Sequence, residues 1–210
     1  MAKKKPSSTR ARPTVRALSP EDWPTIEALF GRNGACGGCW CMWWRRPRGG
    51  KLWEQTKGAS NKRTFKKLVT TGKVFGCLAF LDDQPVGWCC VGPRADFPRL
   101  ERTKGLETEW GERTWSVTCF FIRPGWRHRG IATALLEEAV DVARAGGARE
   151  LEAYPVRPKA SRAGEIPAAF AWTGVPRLFE KAKFRNVTPP GNSRAVYRRV
   201  FRQRRRVRRG

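Results

Sequence analysis

The sequence predicts an α/β (α+β) fold, a mixed central sheet of about seven strands with flanking helices. Residues 115–122 are a strongly apolar run, the pattern of a central strand buried on both faces. Pro124 and Gly125 break that strand, and Ile131, Leu135, Ala139 and Val142 then recur at helical spacing on one face. Residues 74–81 and 86–91 flank Asp82-Asp83-Gln84-Pro85 as two strands joined by a hairpin turn.

The remaining elements fall into place around these. Residues 14–18 alternate like a short strand. Ser19-Pro20-Glu21-Asp22 reads as a helix start, with Ser19 as cap, proline in the first turn and acids at the positive end of the dipole. That helix runs through Trp23, Ile26, Leu29 and Phe30 and stops at Gly31 or Gly34. A second helix covers 62–71, ending before Gly72, and 93–113 is a long loop without a period. Gly146-Gly147 ends the helix that Gly130 opens. Residues 149–156 form a strand, Pro155 and Pro158 lead into a loop, and 176–183 form a short helix. Strands at 184–187 and 195–201 finish the chain.

At 210 residues the chain suits one domain, expected over 13–201, between a basic disordered tail at 1–12 and an arginine-rich tail at 202–210. No apolar run approaches the roughly 20 residues that span a bilayer. The basic N-terminus has no apolar stretch behind it, so no secretory signal is read and a cytoplasmic protein is expected. In that compartment the seven cysteines are expected to be reduced thiols, with Cys77, Cys89, Cys90 and Cys119 as small core residues. The net charge of +25 is carried in part by six basic side chains in 1–16 and eight arginines in 198–210. Such a surface attracts polyanions, whether nucleic acid or a phosphorylated cofactor.

The unit from Val117 to Ala145 carries the chemistry. A strand feeds a tight loop that becomes the N-terminus of an amphipathic helix, where unpaired N–H groups and the helix dipole make a seat for phosphate. Gly130 and Ala132 keep side chains out of the way, while Arg127, His128 and Arg129 add positive charge.

The pattern Arg127-x-x-Gly130-x-Ala132, after a strand ending Phe120-Phe121-Ile122 and Pro124, resembles the cofactor signature of the GNAT superfamily of N-acetyltransferases. The element order resembles that fold over about 14–201, and Arg177-Leu178-Phe179-Glu180-Lys181-Ala182-Lys183-Phe184 is similar to the family's late helix and strand. The resemblance implies an acyltransferase that uses acetyl-CoA, with the CoA pyrophosphate on the amides of Arg127, His128, Arg129, Gly130, Ile131, Ala132 and Thr133. It places the main chain of Ile122 and Phe120 along the pantetheine arm and the acetyl carbonyl, and it implies direct attack by an amine. The tyrosine with which many relatives protonate the leaving thiolate is replaced by Phe179, and Ser116 stands where some relatives keep a glutamate base. Glu150, Glu152 and Tyr154 alternate on one face of the fifth strand, which makes Tyr154 the candidate acid and Glu152 the candidate base. The opposing reading is a structural carboxylate and a packing tyrosine.

Cys36-x-x-Cys39-x-Cys41 has the short spacing of metal ligands, but structural zinc wants four donors, no second such pair exists, and the only histidine lies in the phosphate loop. No metal is expected. By its position between the first two helices this segment borders the acceptor pocket that the resemblance implies, so Trp40 and Trp44 are candidate substrate-binding residues, against a reading in which the tryptophans simply pack. The expected partners are acetyl-CoA and a small-molecule amine, with nucleic acid through the basic tails as a further partner, no membrane, and a monomer or homodimer. A protein lysine or N-terminal amine is the alternative acceptor, and a CoA-binding module associated with nucleic acid or the ribosome is the alternative class.

Overall fold

The computed structural model describes residues 12–47, 49–106, 108–156 and 171–202. The tails expected at 1–12 and 202–210 lie almost wholly outside them. Among the described residues the sheet has seven strands: β1 (Thr14–Ala17), β2 (Gly76–Leu81), β3 (Gln84–Pro93), β4 (Thr114–Ile122), β5 (Glu150–Ala153), β6 (Arg185–Asn186) and β7 (Tyr197–Val200), in the order β1-β2-β3-β4-β5-β7-β6. Only β4 and β5 run parallel; every other pair is antiparallel.

Helix α4 (Ile131–Ala145) makes the crossover between the parallel strands. It buries Ile131, Leu135, Leu136, Ala139, Val140 and Ala143 against Cys77, Ala79, Val91 and Val117 on one face of the sheet. Val142, expected in that row, is only half-buried. The short helix α5 (Pro176–Lys181) adds Phe179 to the same core. Helices α1 (Trp23–Phe30) and α3 (Ala59–Thr70) cover the opposite face with Trp23, Ile26, Phe30, Phe65 and Val69. Among the described residues no helix is long and apolar enough to cross a membrane.

Several boundaries move from their expected places for physical reasons. The hairpin loop is the two residues Asp82 and Asp83, both at positive φ (49° and 61°), so β3 begins earlier, at Gln84. Before α1 the chain makes a single 3-10 turn over Pro20–Asp22. There the Asp22 carboxylate accepts the Ser19 N–H at 2.8 Å and pairs with Arg16. Helix α3 starts at Ala59, ahead of the expected 62, and a further helix, α2 (Lys51–Thr56), precedes it. Six residues that bury none of their side chains give no apolar period to read. The expected strand at 149–156 is hydrogen-bonded only over Glu150–Ala153.

Candidate active site

Strand β4 is bent by a bulge. Cys90 of β3 pairs with Cys119, but its neighbour Val91 pairs with Val117, leaving Thr118 as the extra residue. Because of that insertion Val117 and Phe120 face the α4 side, while Cys119 and Phe121 face α1. The Trp44 indole N–H donates to the Thr118 carbonyl at 3.0 Å, satisfying an oxygen that the bulge removes from the ladder. Beyond the bulge, among the described residues, β4 has no strand partner on its β5 side: β5 follows it only from Thr114 to Val117.

A cleft of about 830 Å³ opens beside this half of β4. Its floor is Phe120, Phe121 and Ile122. One wall is the end of α1 and the turn after it, including Leu29, Arg32, Asn33 and Cys36; the other is Trp172, Gly174, Val175 and Leu178. At the mouth stand Arg123, Arg127, His128 and Ala132. Gly130 caps α4 at φ 79°, and no atom lies within 4 Å of where a β-carbon would stand. Its backbone shape disfavours other residues, and the empty space beside it leaves the first amides of α4 open to a diphosphate.

Of the residues expected to bind the cofactor, Phe120, Ile122, Arg127, His128 and Ala132 therefore line one cleft. Gly130 and Thr133 belong to the same turn, without lining the cavity. Ile131 sends its side chain into the core, leaving only its backbone for the site. Arg129 lies over the Trp126 ring at 4.9 Å.

The expected catalytic and acceptor residues lie elsewhere. Glu152 is fully buried, and its two oxygens accept from Arg94 (2.9 Å), Tyr154 (2.9 Å), Thr108 (3.1 Å) and Arg198 (2.7 Å). The Tyr154 hydroxyl also accepts from Arg94 at 2.5 Å and lies 2.8 Å from Ser116 Oγ. Burial and the neighbouring Glu152 push its phenol well above the ordinary tyrosine range, so it stays protonated. Neither residue lines the cleft. Trp40 is 3% exposed, packed on Trp23 and Phe30 with ring centroids 5.7 and 5.8 Å away. Trp44 is buried between Tyr154 and Trp172. Phe179, in the family tyrosine's place, is fully buried against Phe120 and Phe184.

The thiols divide sharply. Cys36 is exposed on the cleft wall, Cys39 and Cys119 are half-buried, and Cys41, Cys77, Cys89 and Cys90 are buried. Desolvation pushes the Cys77 and Cys89 thiols up. Among the described residues no group of three His, Cys, Asp or Glu side chains is arranged to hold a metal. Arg94, inside a charged stretch without a period, and the cleft wall at Trp172 and Gly174 carry no local signal in the sequence.

Comparison with known proteins agrees with this architecture. The profile of the acetyltransferase (GNAT) family matches residues 40–163, more than half of the chain, and the protein belongs to that family of acyltransferases. The PaiA N-acetyltransferase of Thermoplasma acidophilum, solved in complex with coenzyme A, superposes with a TM-score of 0.51 at 16% identity, over 91% of this chain and 100% of that one. An N-acetyltransferase of Staphylococcus aureus Mu50 gives 0.50 at 15% identity, over 90% and 99%. The ribosomal-protein-alanine N-acetyltransferase of Brucella melitensis gives 0.50 at 16%, again over 90% and 99%. At these identities the likeness is one of fold. No curated protein matches the sequence.

Proposed function

We propose that the chain binds acetyl-CoA in the cleft beside β4 and transfers its acetyl group directly to the primary amine of a small molecule. The observation that carries this reading is the Gly130 turn, whose bare backbone at the head of α4 opens onto the cleft that Phe120 and Ile122 floor. When bound, acetyl-CoA supplies the activated thioester; the protein positions it. The α4 amides and Arg127 hold the diphosphate by charge-assisted hydrogen bonds. The main chain of Ile122 aligns the pantetheine arm, and the Phe120 N–H faces the place where negative charge grows on the acetyl oxygen. Phe120 and Leu178 keep water from the thioester. Buried Phe179 has no proton to give, so the thiolate leaves without help from that position. Glu152 and Tyr154 we assign to holding β4 and β5 in place through Ser116, rather than to moving protons.

Enclosure supports a small acceptor: the turn at 31–36 and the segment at 171–178 wall the cleft on both sides. Calorimetry with acetyl-CoA tests the cofactor site, with a dissociation constant expected in the micromolar range. Gly130→Glu, which puts a carboxylate into the phosphate seat, is expected to weaken binding about 100-fold. Unchanged affinity in that variant, or no affinity in the wild type, refutes the reading. Thiol release with a panel of small amines, lysine peptides and N-terminal peptides then identifies the acceptor.

A further inference from the structure

The two strands that part beyond the bulge are not left open. Residues 171–175 run into the gap between them and tie to both sides. The Phe120 N–H of β4 donates to the Trp172 carbonyl at 2.6 Å, and the Val156 N–H, just past β5, donates to the Gly174 carbonyl at 3.0 Å. The segment closes on itself through Gly174 N–H to the Ala171 carbonyl at 2.9 Å. Gly174 sits at φ 84°, and a β-carbon there would come within 2.7 Å of the Phe179 ring, so the turn is fixed by the residue beneath it. The Trp172 indole lies against Trp44, with centroids 5.7 Å apart. Trp44 thus touches both the bulge, through the Thr118 carbonyl, and the segment that fills the gap.

One donor cannot serve two carbonyls at full strength. The Phe120 N–H that the proposed function directs at the acetyl oxygen is already held by Trp172. We propose that residues 171–175 form a displaceable strap, in which the Trp172 carbonyl occupies the place of the acyl carbonyl and leaves when an acyl thioester binds. The proposal rests on the acetyl-CoA reading above. It makes the donor's carbonyl the key that opens the strap. CoA, which carries a thiol in place of the acyl group, has no carbonyl to offer Phe120 and leaves the strap seated. Trp172 is then a residue that sets the preference for acylated over free CoA, and Trp44 is its seat.

The exchange trades one hydrogen bond for another of similar strength, so what holds the strap is the packing of Trp172 on Trp44. Trp172→Ala keeps the carbonyl but removes that packing. It is expected to raise the preference for acetyl-CoA over CoA, read as the ratio of their affinities, by about 3- to 10-fold. Trp172→Phe, which keeps an aromatic on Trp44, should stay near wild type. A second readout is amide exchange. The Val156 N–H, released from Gly174, should exchange faster in wild-type protein saturated with acetyl-CoA and remain protected with CoA. Equal changes for both ligands in Trp172→Ala, or a Val156 amide still protected at saturating acetyl-CoA, overturn the strap while leaving the cofactor site standing. Absence of heat with either ligand in the wild type overturns both.

Discussion

Arg94 and Glu152 form an ion pair at 2.9 Å in which the two side chains are 1% and 0% exposed. Arg94 comes from the 3-10 turn after β3 and Glu152 from the middle of β5, so the pair fastens the long stretch between β3 and β4 to the sheet. Removing one partner strands the other charge away from water. Glu152→Gln is expected to cost about 3–5 kcal/mol in denaturant unfolding. Tyr154→Phe, which deletes only the hydroxyl among Arg94, Glu152 and Ser116, should cost about 1–3 kcal/mol. In the fraction that stays folded, kcat/KM should lie within a few-fold of wild type with an unshifted pH profile. A change of shape in that profile would return the two residues to proton transfer.

Among the depressed carboxyls, Asp22 is the buried one and contributes to the acid limb of stability. Hydrogen bonds from Arg16, and the Ser19 N–H, hold the Asp22 carboxyl below its usual range. A depressed carboxyl stabilises the fold above its unfolded pKa of about 3.9, and the contribution disappears as pH falls through the lower folded value. Asp22→Asn should therefore be less stable than wild type by about 1 kcal/mol near pH 6, a modest figure because Arg16 is half exposed. The difference should shrink as the solution is acidified below about pH 4. Urea titrations of both proteins across that range provide the check.

Cys36 offers a probe of the cleft. It is the exposed thiol on the wall, whereas Cys41, Cys77, Cys89 and Cys90 are buried. A charged disulfide reagent at neutral pH should modify Cys36 first in native protein, and the buried thiols only after unfolding. Saturating CoA should slow the Cys36 reaction several-fold, as read by mass mapping. Equal rates with and without CoA would separate Cys36 from the ligand's path.

The tryptophans of the 40–44 segment predict stability effects of two sizes. Trp40→Ala empties a site shared with Trp23 and Phe30, at a cost of about 3–5 kcal/mol. Trp44→Phe leaves the Thr118 carbonyl without its donor and should cost about 1–3 kcal/mol. Trp40→Phe should leave the ranking of acceptor amines unchanged. A reordered ranking would put that position in the pocket.

The legible parts of this protein were those with a local cause. The period of α4, the apolar run of β4, the Asp82–Asp83 turn and the glycine at the head of α4 each follow from a few adjacent residues, and together they locate the cleft beside β4. What escaped the sequence depends on distant partners. Nothing near Arg94 announces that it meets Glu152 fifty-eight positions later. The bulge at Thr118 arises from the register of β3 against β4, which no single strand encodes. The alternation of Glu152 and Tyr154 puts both on one face, where they meet at 2.9 Å, but which neighbours crowd that face is a tertiary matter. Trp40 and Trp44 look alike beside the cysteines; only packing sends one into the α1–α3 core and the other to the bulge.

Among the described residues the strand latest in sequence, β7, lies between β5 and β6, not at the rim. It brings Arg198 to the Glu152 carboxylate and Tyr197 to Glu180 of α5. The β5 side of the sheet is therefore complete only once Tyr197–Val200 has joined it. A chain cut before Tyr197 would expose the β5 edge and take Arg198 away from the buried Glu152.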